Sequence, residues 1–353
     1  MTSSMQPPLR HILISRTDNI GDVVLSLPLA GYLKSLFPGV RIDFLCRAYA
    51  APVVRRCRFV DRVVELESLG DPATAFAGAG YDTIVFAHPV RKLALAARRA
   101  GVARRVGTSH RLHHWLSCNR LAHFTRARSE LHEAQLNFKL LQPLGIDYKP
   151  TLAALAPLFG LTAPVPLPGQ RPDGRAGFNL ILHPKSNGNG REWPLRRYTE
   201  LARLLRDDDV ALWITGAGAE AAAIAADGAE LLAMPHVHNL VGTLDLDGLM
   251  ALIGACDGLV ASGTGPLHLS AALGQPTLGL FPPLKPIDPA RWGTLGARAQ
   301  TLCVGPACRV DCDDAATCAC MERISAAQVA AVVRAWSLAK RAATPAQAVL
   351  QAG

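Results

Sequence analysis

The sequence predicts an α/β protein made of two doubly wound, parallel-sheet domains in tandem. Three observations predict it. Short apolar runs of strand length alternate with amphipathic stretches in both halves of the chain, the pattern of parallel sheets covered by helices. The alternation pauses between residues 157 and 176 at a cluster of Pro157, Pro164, Pro166, Pro168, Gly169, Pro172 and Gly174, the composition of a linker. The 353 residues, half of them hydrophobic, also favour two cores over one.

Taken in order, His11–Ser15 reads as a buried strand. Val23–Phe37 is amphipathic and predicts a helix, with Pro28 near its start, where proline is tolerated, and Pro38-Gly39 as its stop. Arg41–Cys46 alternates as a strand does, and Ala50–Cys57 reads as helix. Val63–Leu66 and Thr83–Ala87 are short apolar runs, and Lys92–Ala100 is a helix closed by Gly101. Past the proline cluster, Asn179–His183, Val210–Thr215, Gly258–Ser262 and Thr277–Phe281 read as strands. Arg196–Arg206, Glu220–Leu232, Leu246–Ala255 and Leu267–Leu273 read as the helices between and after them. Ser325 with Gln328 forms a capping box for a last helix, Ala326 to about Ala342. The expected domains are 1–165, a linker at 166–176, 177–324, and a C-terminal helix and tail at 325–353 packing back toward the first domain. Ligands of such sheets lie beyond the carboxyl ends of the strands, so a cleft between the domains is the expected site.

Charge is unevenly shared. Residues 1–150 hold 21 Lys and Arg against 11 Asp and Glu, a balance of +10, while residues 151–353 hold 16 against 17, a balance of −1. A basic first half suits an anionic partner: nucleic acid, an anionic membrane surface or a phosphorylated glycolipid. The plainer alternative is a solvated basic surface. No zinc-finger spacing, aromatic RNA-binding signature or basic-zipper heptad is present, which argues against nucleic acid. No signal-like segment opens the chain and no run of 18 uncharged apolar residues occurs, so a cytoplasmic location is expected.

Three strand-end loops in the second half are rich in Gly, Ser and Thr: His183–Arg191, Thr215–Glu220 and Ser262–His268. The last two lead into helices, where free amides and the helix dipole attract phosphate. Lys185 and Arg191 add full positive charge to the first. Tight turns that use glycine only for its backbone are the alternative. None fits the P-loop or Gly-x-Gly-x-x-Gly spacing, which disfavours ATP hydrolysis and hydride transfer. In the first half, Gly21-Asp22 places a bare carboxylate in a glycine turn between a buried strand and a helix. It reads as a general base or as a helix N-cap, roles that are compatible.

The stretches "HILISRTDNIGDVVLSLPL", "REWPLRRYTELARLL", "NLVGTLDLDGLMALIGACDGLVASGTGPLHLSAALGQPTLGLFPP" and "CMERIS" resemble glycosyltransferase family 9, whose best-known members are the ADP-heptose:lipopolysaccharide heptosyltransferases. The resemblance runs from about residue 11 to 335. It implies a GT-B fold of two Rossmann-like domains, with the acceptor on the first and the nucleotide sugar on the second. It further implies inverting heptose transfer from ADP-heptose to a lipopolysaccharide core acceptor, with no catalytic metal. By this resemblance Asp22 is the base. Thr17 and Gly21 lie near the donor. Lys185, Ser186 and Arg191 meet the donor phosphates, Gly216, Glu220 and Leu244 the nucleoside, and Thr264, Gly265 and His268 the phosphate and sugar. Glu220 could equally serve a helix first turn, and His268 could be structural. One departure stands out: family members often carry Asp where this chain has Gly263, which leaves the donor sugar open. A non-catalytic nucleotide-sugar binder and transfer to a protein acceptor stay as alternatives.

Five cysteines, Cys303, Cys308, Cys312, Cys318 and Cys320, crowd into 18 residues. A structural metal would fit four of them, although the spacing lacks CxxC pairs; reduced thiols or a labile disulfide are the other readings. Cys46, Cys57, Cys118 and Cys256 read as buried thiols. The basic residues between 91 and 128, with the amphipathic stretch at His113, His114, Trp115 and Leu116, suggest peripheral contact with the inner membrane.

Overall fold

Ile12, Leu13 and Ile14 have no exposed surface, because their strand is covered on both faces. In the computed structural model, which describes residues 9–126, 129–166, 172, 174–188, 190–306 and 318–351, with side chains to 343, that strand is the centre of a parallel sheet. The strands of the first unit are β1 (His11–Ser15), β2 (Arg41–Cys46), β3 (Arg62–Glu65), β4 (Thr83–Phe86), β5 (Arg104–Thr108) and β6 (Arg120–Ala122). They pair in the order β3-β2-β1-β4-β5-β6, all parallel. The second unit repeats this with β7 (Phe178–His183), β8 (Val210–Ile214), β9 (Val237–Asn239), β10 (Gly258–Ser262), β11 (Thr277–Leu280) and β12 (Ala299–Leu302). Its order, β9-β8-β7-β10-β11-β12, is again fully parallel. Both sheets are therefore doubly wound, and each reverses direction beside its first strand. The crevices at β1/β4 and β7/β10 are the topological switch points where such sheets take ligands. Contacts divide the chain into 1–162 and 163–353.

Several elements differ from the sequence reading. The single helix expected over Val23–Phe37 is two, Ile20–Val24 and Leu27–Leu36. Pro28, in the first turn of the second, has no N–H to continue the first helix, and the Ser26 hydroxyl bonds back to the Asp22 carbonyl at 2.8 Å. Glu220–Leu232 likewise divides at Gly228 into Ala221–Asp227 and Ala229–Leu232. Strands β5, β6, β9 and β12 were not legible: β5 reads Arg-Arg-Val-Gly-Thr, and the others are short with weak apolar character. The capping box at Ser325 and Gln328 forms, with bonds of 2.9 and 3.2 Å. The helix it opens runs Ala326–Gln351, and Lys340 from it bonds the Gly177 carbonyl and Asp257 in the second unit, at 3.0 and 2.7 Å. Of the expected linker, residues 167–171 and 173 lie outside the described residues.

Candidate functional site

The chain leaves β1 at Ser15 and enters a buried ionic network. Arg16 is 3% exposed, a rare place for arginine, and it is held there by acceptors from three segments. Its Nε donates to Asp18 at 2.7 Å, one Nη donates to the Asp22 carboxylate, and the other reaches the Ala87 carbonyl, Glu133 and Asn137 at 3.2 to 3.3 Å. Glu133 and Asn137 lie one turn apart on the helix Glu133–Phe138, both fully buried. Arg126 joins them, donating to Glu133 at 2.9 Å and to Asn137 at 3.2 Å. Asn137 returns its amide to the Leu25 carbonyl and the Ser26 hydroxyl, both at 3.1 Å, which ties the network to the Asp22 helix.

Asp22 sits in the first turn of the helix Ile20–Val24, whose N-cap is Asn19, so the N-cap reading of Asp22 is corrected. Among the described residues, this hydrogen-bonded network sets two guanidinium groups, Arg16 and Arg126, against three carboxylates, Asp18, Asp22 and Glu133. Burial pushes the Asp22 carboxyl from 3.8 up to about 6; Arg16 opposes this, while Asp18 and Glu133 add to it. Arg16, whose burial is outweighed by Asp22, Asp18 and Glu133, is raised above its ordinary range and stays charged. Thr17 is buried and bonds His88 Nδ1 at 2.9 Å, just beyond β4. Burial lowers the His88 imidazole, with Arg16, Arg126 and Arg111 adding to the effect and Asp18 opposing it. Gly21 is buried beside Asp22.

In the second unit the loop after β7 turns through two left-handed residues, Asn187 at φ +48° and Gly188 at φ +74°. Lys185 donates to Glu192 at 3.0 Å, so its charge is already answered. Ser186 bonds Glu192 through its amide at 2.8 Å and its hydroxyl at 3.1 Å. Arg191 is partly buried at the end of this loop, and Asn189 lies outside the described residues. Glu220 accepts from the Asn187 and Ala217 amides at 3.0 and 2.8 Å, splinting the β7 and β8 loops together. Gly216 lies inside that splinted loop, and Leu244 is half-buried beyond β9.

The loop after β10 meets the loop after β7. A Cβ on Gly190 would stand 2.8 Å from the Gly263 carbonyl. A Cβ on Gly263 would stand 2.9 Å from the buried Phe281 ring, which favours glycine there. Thr264 is the N-cap of the helix Gly265–Ala272, yet its hydroxyl caps nothing. That oxygen is buried and has no hydrogen-bond partner among the described residues. A buried hydroxyl beside a helix N-terminus is chemically suited to an anion. His268, one turn on, is buried with its ring 6.3 Å from that of Trp292.

Arg16, Asp18, Glu133 and Asn137 were not among the residues the sequence pointed to, and Arg126 entered only as one of the basic residues between 91 and 128. Arg16 did carry one signal, an arginine directly after a buried strand. The cysteine cluster is only partly described. Cys308 and Cys312 lie outside the described residues; Cys318 and Cys320 are buried beside Met321 in the second core, and Cys303 is half-buried. Among the described residues no group of three or more His, Cys, Asp or Glu is placed to hold a metal.

The model of glycosyltransferase family 9 (heptosyltransferase) matches residues 77–320, more than half of the chain. Lipopolysaccharide heptosyltransferase 2 of E. coli is 23% identical over 309 residues, covering 78% of this chain and 83% of its own. The solved structure of E. coli ADP-heptose lipopolysaccharide heptosyltransferase II superposes with a TM-score of 0.72 at 20% identity, over 94% of this chain and all of the other. E. coli heptosyltransferase WaaC with ADP gives 0.68 at 20% identity, over 92% and 99%. These likenesses show the GT-B fold.

Proposed function

The chain belongs to glycosyltransferase family 9, and from that premise we propose that it transfers a heptose, with inversion, from ADP-heptose to an anionic glycolipid of the lipopolysaccharide core. The observation that carries the reading is Asp22: a carboxylate at the β1/β4 switch point, raised to about 6 by its burial and by Asp18 and Glu133. Such a group is ionised at neutral pH yet basic enough to take a proton from an attacking hydroxyl. The acceptor hydroxyl loses its proton to Asp22 as its oxygen bonds the anomeric carbon. The bond from that carbon to the diphosphate breaks on the opposite face, which inverts the centre. The charge leaving on the diphosphate is received by the Gly265 helix terminus, the Thr264 hydroxyl and Arg191. The relatives named above are heptosyltransferases, and one is a complex with ADP, which supports the choice of donor. The test is consumption of candidate nucleotide heptoses with and without an inner-core acceptor. Release of ADP that depends on acceptor supports the assignment. Tight nucleotide binding with no turnover would favour a non-catalytic binder, and turnover with another nucleotide sugar alone would reject heptose.

A further inference from the structure

The helix Leu112–Ser117, which follows β5, has its polarity reversed. Its polar residues face the protein. His114 has no exposed surface, and its Nδ1 lies 2.9 Å from the Thr108 amide. Burial holds that imidazole down at about 4, so it is neutral at pH 7. Ser117 is buried too, its hydroxyl donating to the His113 carbonyl at 2.6 Å. Gly107 makes the close seat possible, since a Cβ there would lie 2.5 Å from His114 Nδ1. The apolar residues face outward: Leu112 is 88% exposed, Trp115 58% and Leu116 69%. Spaced i, i+3 and i+4, they share one side of the helix. The Trp115 indole N–H donates to the Ser109 carbonyl at 2.7 Å, which holds the ring in place. A folded protein seldom fixes apolar groups together in water without a partner for them.

The surroundings are cationic. From Thr83 to Ser129 the chain has ten Lys and Arg and no Asp or Glu. The Arg98 guanidinium donates to the Leu116 carbonyl. His113 is lowered by its burial and by the charges of Arg111 and Arg91, which places both arginines near the helix. Arg91, Lys92, Arg98 and Arg111 are all exposed. No helix among the described residues is long and apolar enough to cross a membrane.

We infer that the helix Leu112–Ser117, with its rim of Arg91, Arg98 and Arg111, docks the first unit onto an anionic lipid bilayer. The combination selects the partner. Nucleic acid would use the cations but gains little from two exposed leucines. A bilayer uses both: leucines enter the acyl boundary, tryptophan belongs at the headgroup level, and arginines meet lipid phosphate. Either signal alone gives weak, reversible attachment, whereas two together hold. Arg111 is the N-cap of this helix, and its charge also acts on His88, whose ring bonds Thr17. The purpose of docking rests on the proposed glycolipid acceptor, because a glycolipid head then reaches the crevice while its tails stay in the bilayer.

The full chain, sedimented with vesicles of phosphatidylglycerol and phosphatidylcholine, is expected to bind, to release as salt is raised, and to ignore vesicles of phosphatidylcholine alone. The double variant Leu112→Ser, Leu116→Ser is expected to partition at least about tenfold less, with unchanged melting temperature and ADP affinity, since both side chains lie in solvent. Equal binding by the double variant would overturn the inference, as would absence of binding by the wild type at low salt. So would an oligonucleotide that displaces vesicles and binds the double variant as well as the wild type. Transfer to a delipidated, water-soluble acceptor reads the proposed chemistry separately. If that transfer persists while vesicle binding is absent, the docking surface fails and the function stands; vesicle binding without transfer leaves the surface standing and the function refuted.

Discussion

Replacing Asp22 by asparagine isolates proton abstraction from folding, and the structure indicates why. Raising this carboxyl from 3.8 to about 6 corresponds to a cost of about 3 kcal/mol for keeping it ionised in the folded protein above pH 6. The sign follows from proton counting. The folded state holds this proton more tightly than the unfolded chain, so stability at this site falls as pH rises from about 4 to about 6 and is level above that. Asparagine removes that cost, which is already net of the Arg16 bond, and keeps the size of the side chain, so the melting temperature at pH 7.5 should not fall. Turnover should fall roughly 10²–10⁴-fold, the usual contribution of a general base. ADP affinity should stay the same, because the residues assigned to the phosphates and nucleoside, from Lys185 to His268, belong to the second unit. The assay is a pH series of kcat/KM with calorimetric ADP binding as the control. The wild type should lose activity below an acid limb near pH 6, and the residual rate of Asp22→Asn should lack that limb. A variant keeping more than about a tenth of wild-type turnover, or showing the same limb, would refute the role of Asp22.

The remaining expectations concern the donor loops. Arg191→Ala should weaken ADP binding by about 1.5–3 kcal/mol in calorimetry, the size of a lost charge-assisted contact; unchanged affinity would return Arg191 to the surface. Thr264→Val should weaken ADP by about 0.5–1.5 kcal/mol without lowering the melting temperature, since its hydroxyl bonds nothing in the described structure. A melting-temperature loss with ADP affinity intact would show instead that the hydroxyl serves the fold. Gly263→Asp should destabilise by about 1–3 kcal/mol in denaturant melts, because its Cβ meets Phe281 at 2.9 Å. Pairing it with Phe281→Leu should recover part of that loss; no recovery would mean the clash lies elsewhere.

What the sequence determined by itself is whatever local pattern encodes. The buried run His11–Ser15, the Gly21-Asp22 turn after it, the glycine loops after β7, β8 and β10, and the proline cluster between two α/β halves were all legible. Each is a property of neighbouring residues: alternation, a missing Cβ, a missing amide proton. Only the tertiary structure decided the chemistry of Asp22. Its elevated carboxyl depends on Arg16 sharing its charge with Glu133, 117 positions away, and on a burial that the fold imposes. Asn187 and Glu220, 33 positions apart, were splinted in the same way, which gives Glu220 a structural duty that a first-turn reading could not show. The helix Leu112–Ser117 is the sharpest case. Its sequence reads as amphipathic, but the side that faces water is set by Gly107 admitting His114, not by hydrophobicity. Short-range patterns specify elements, whereas charge sharing, desolvation and the orientation of a face come from groups that meet only when the sheet has formed.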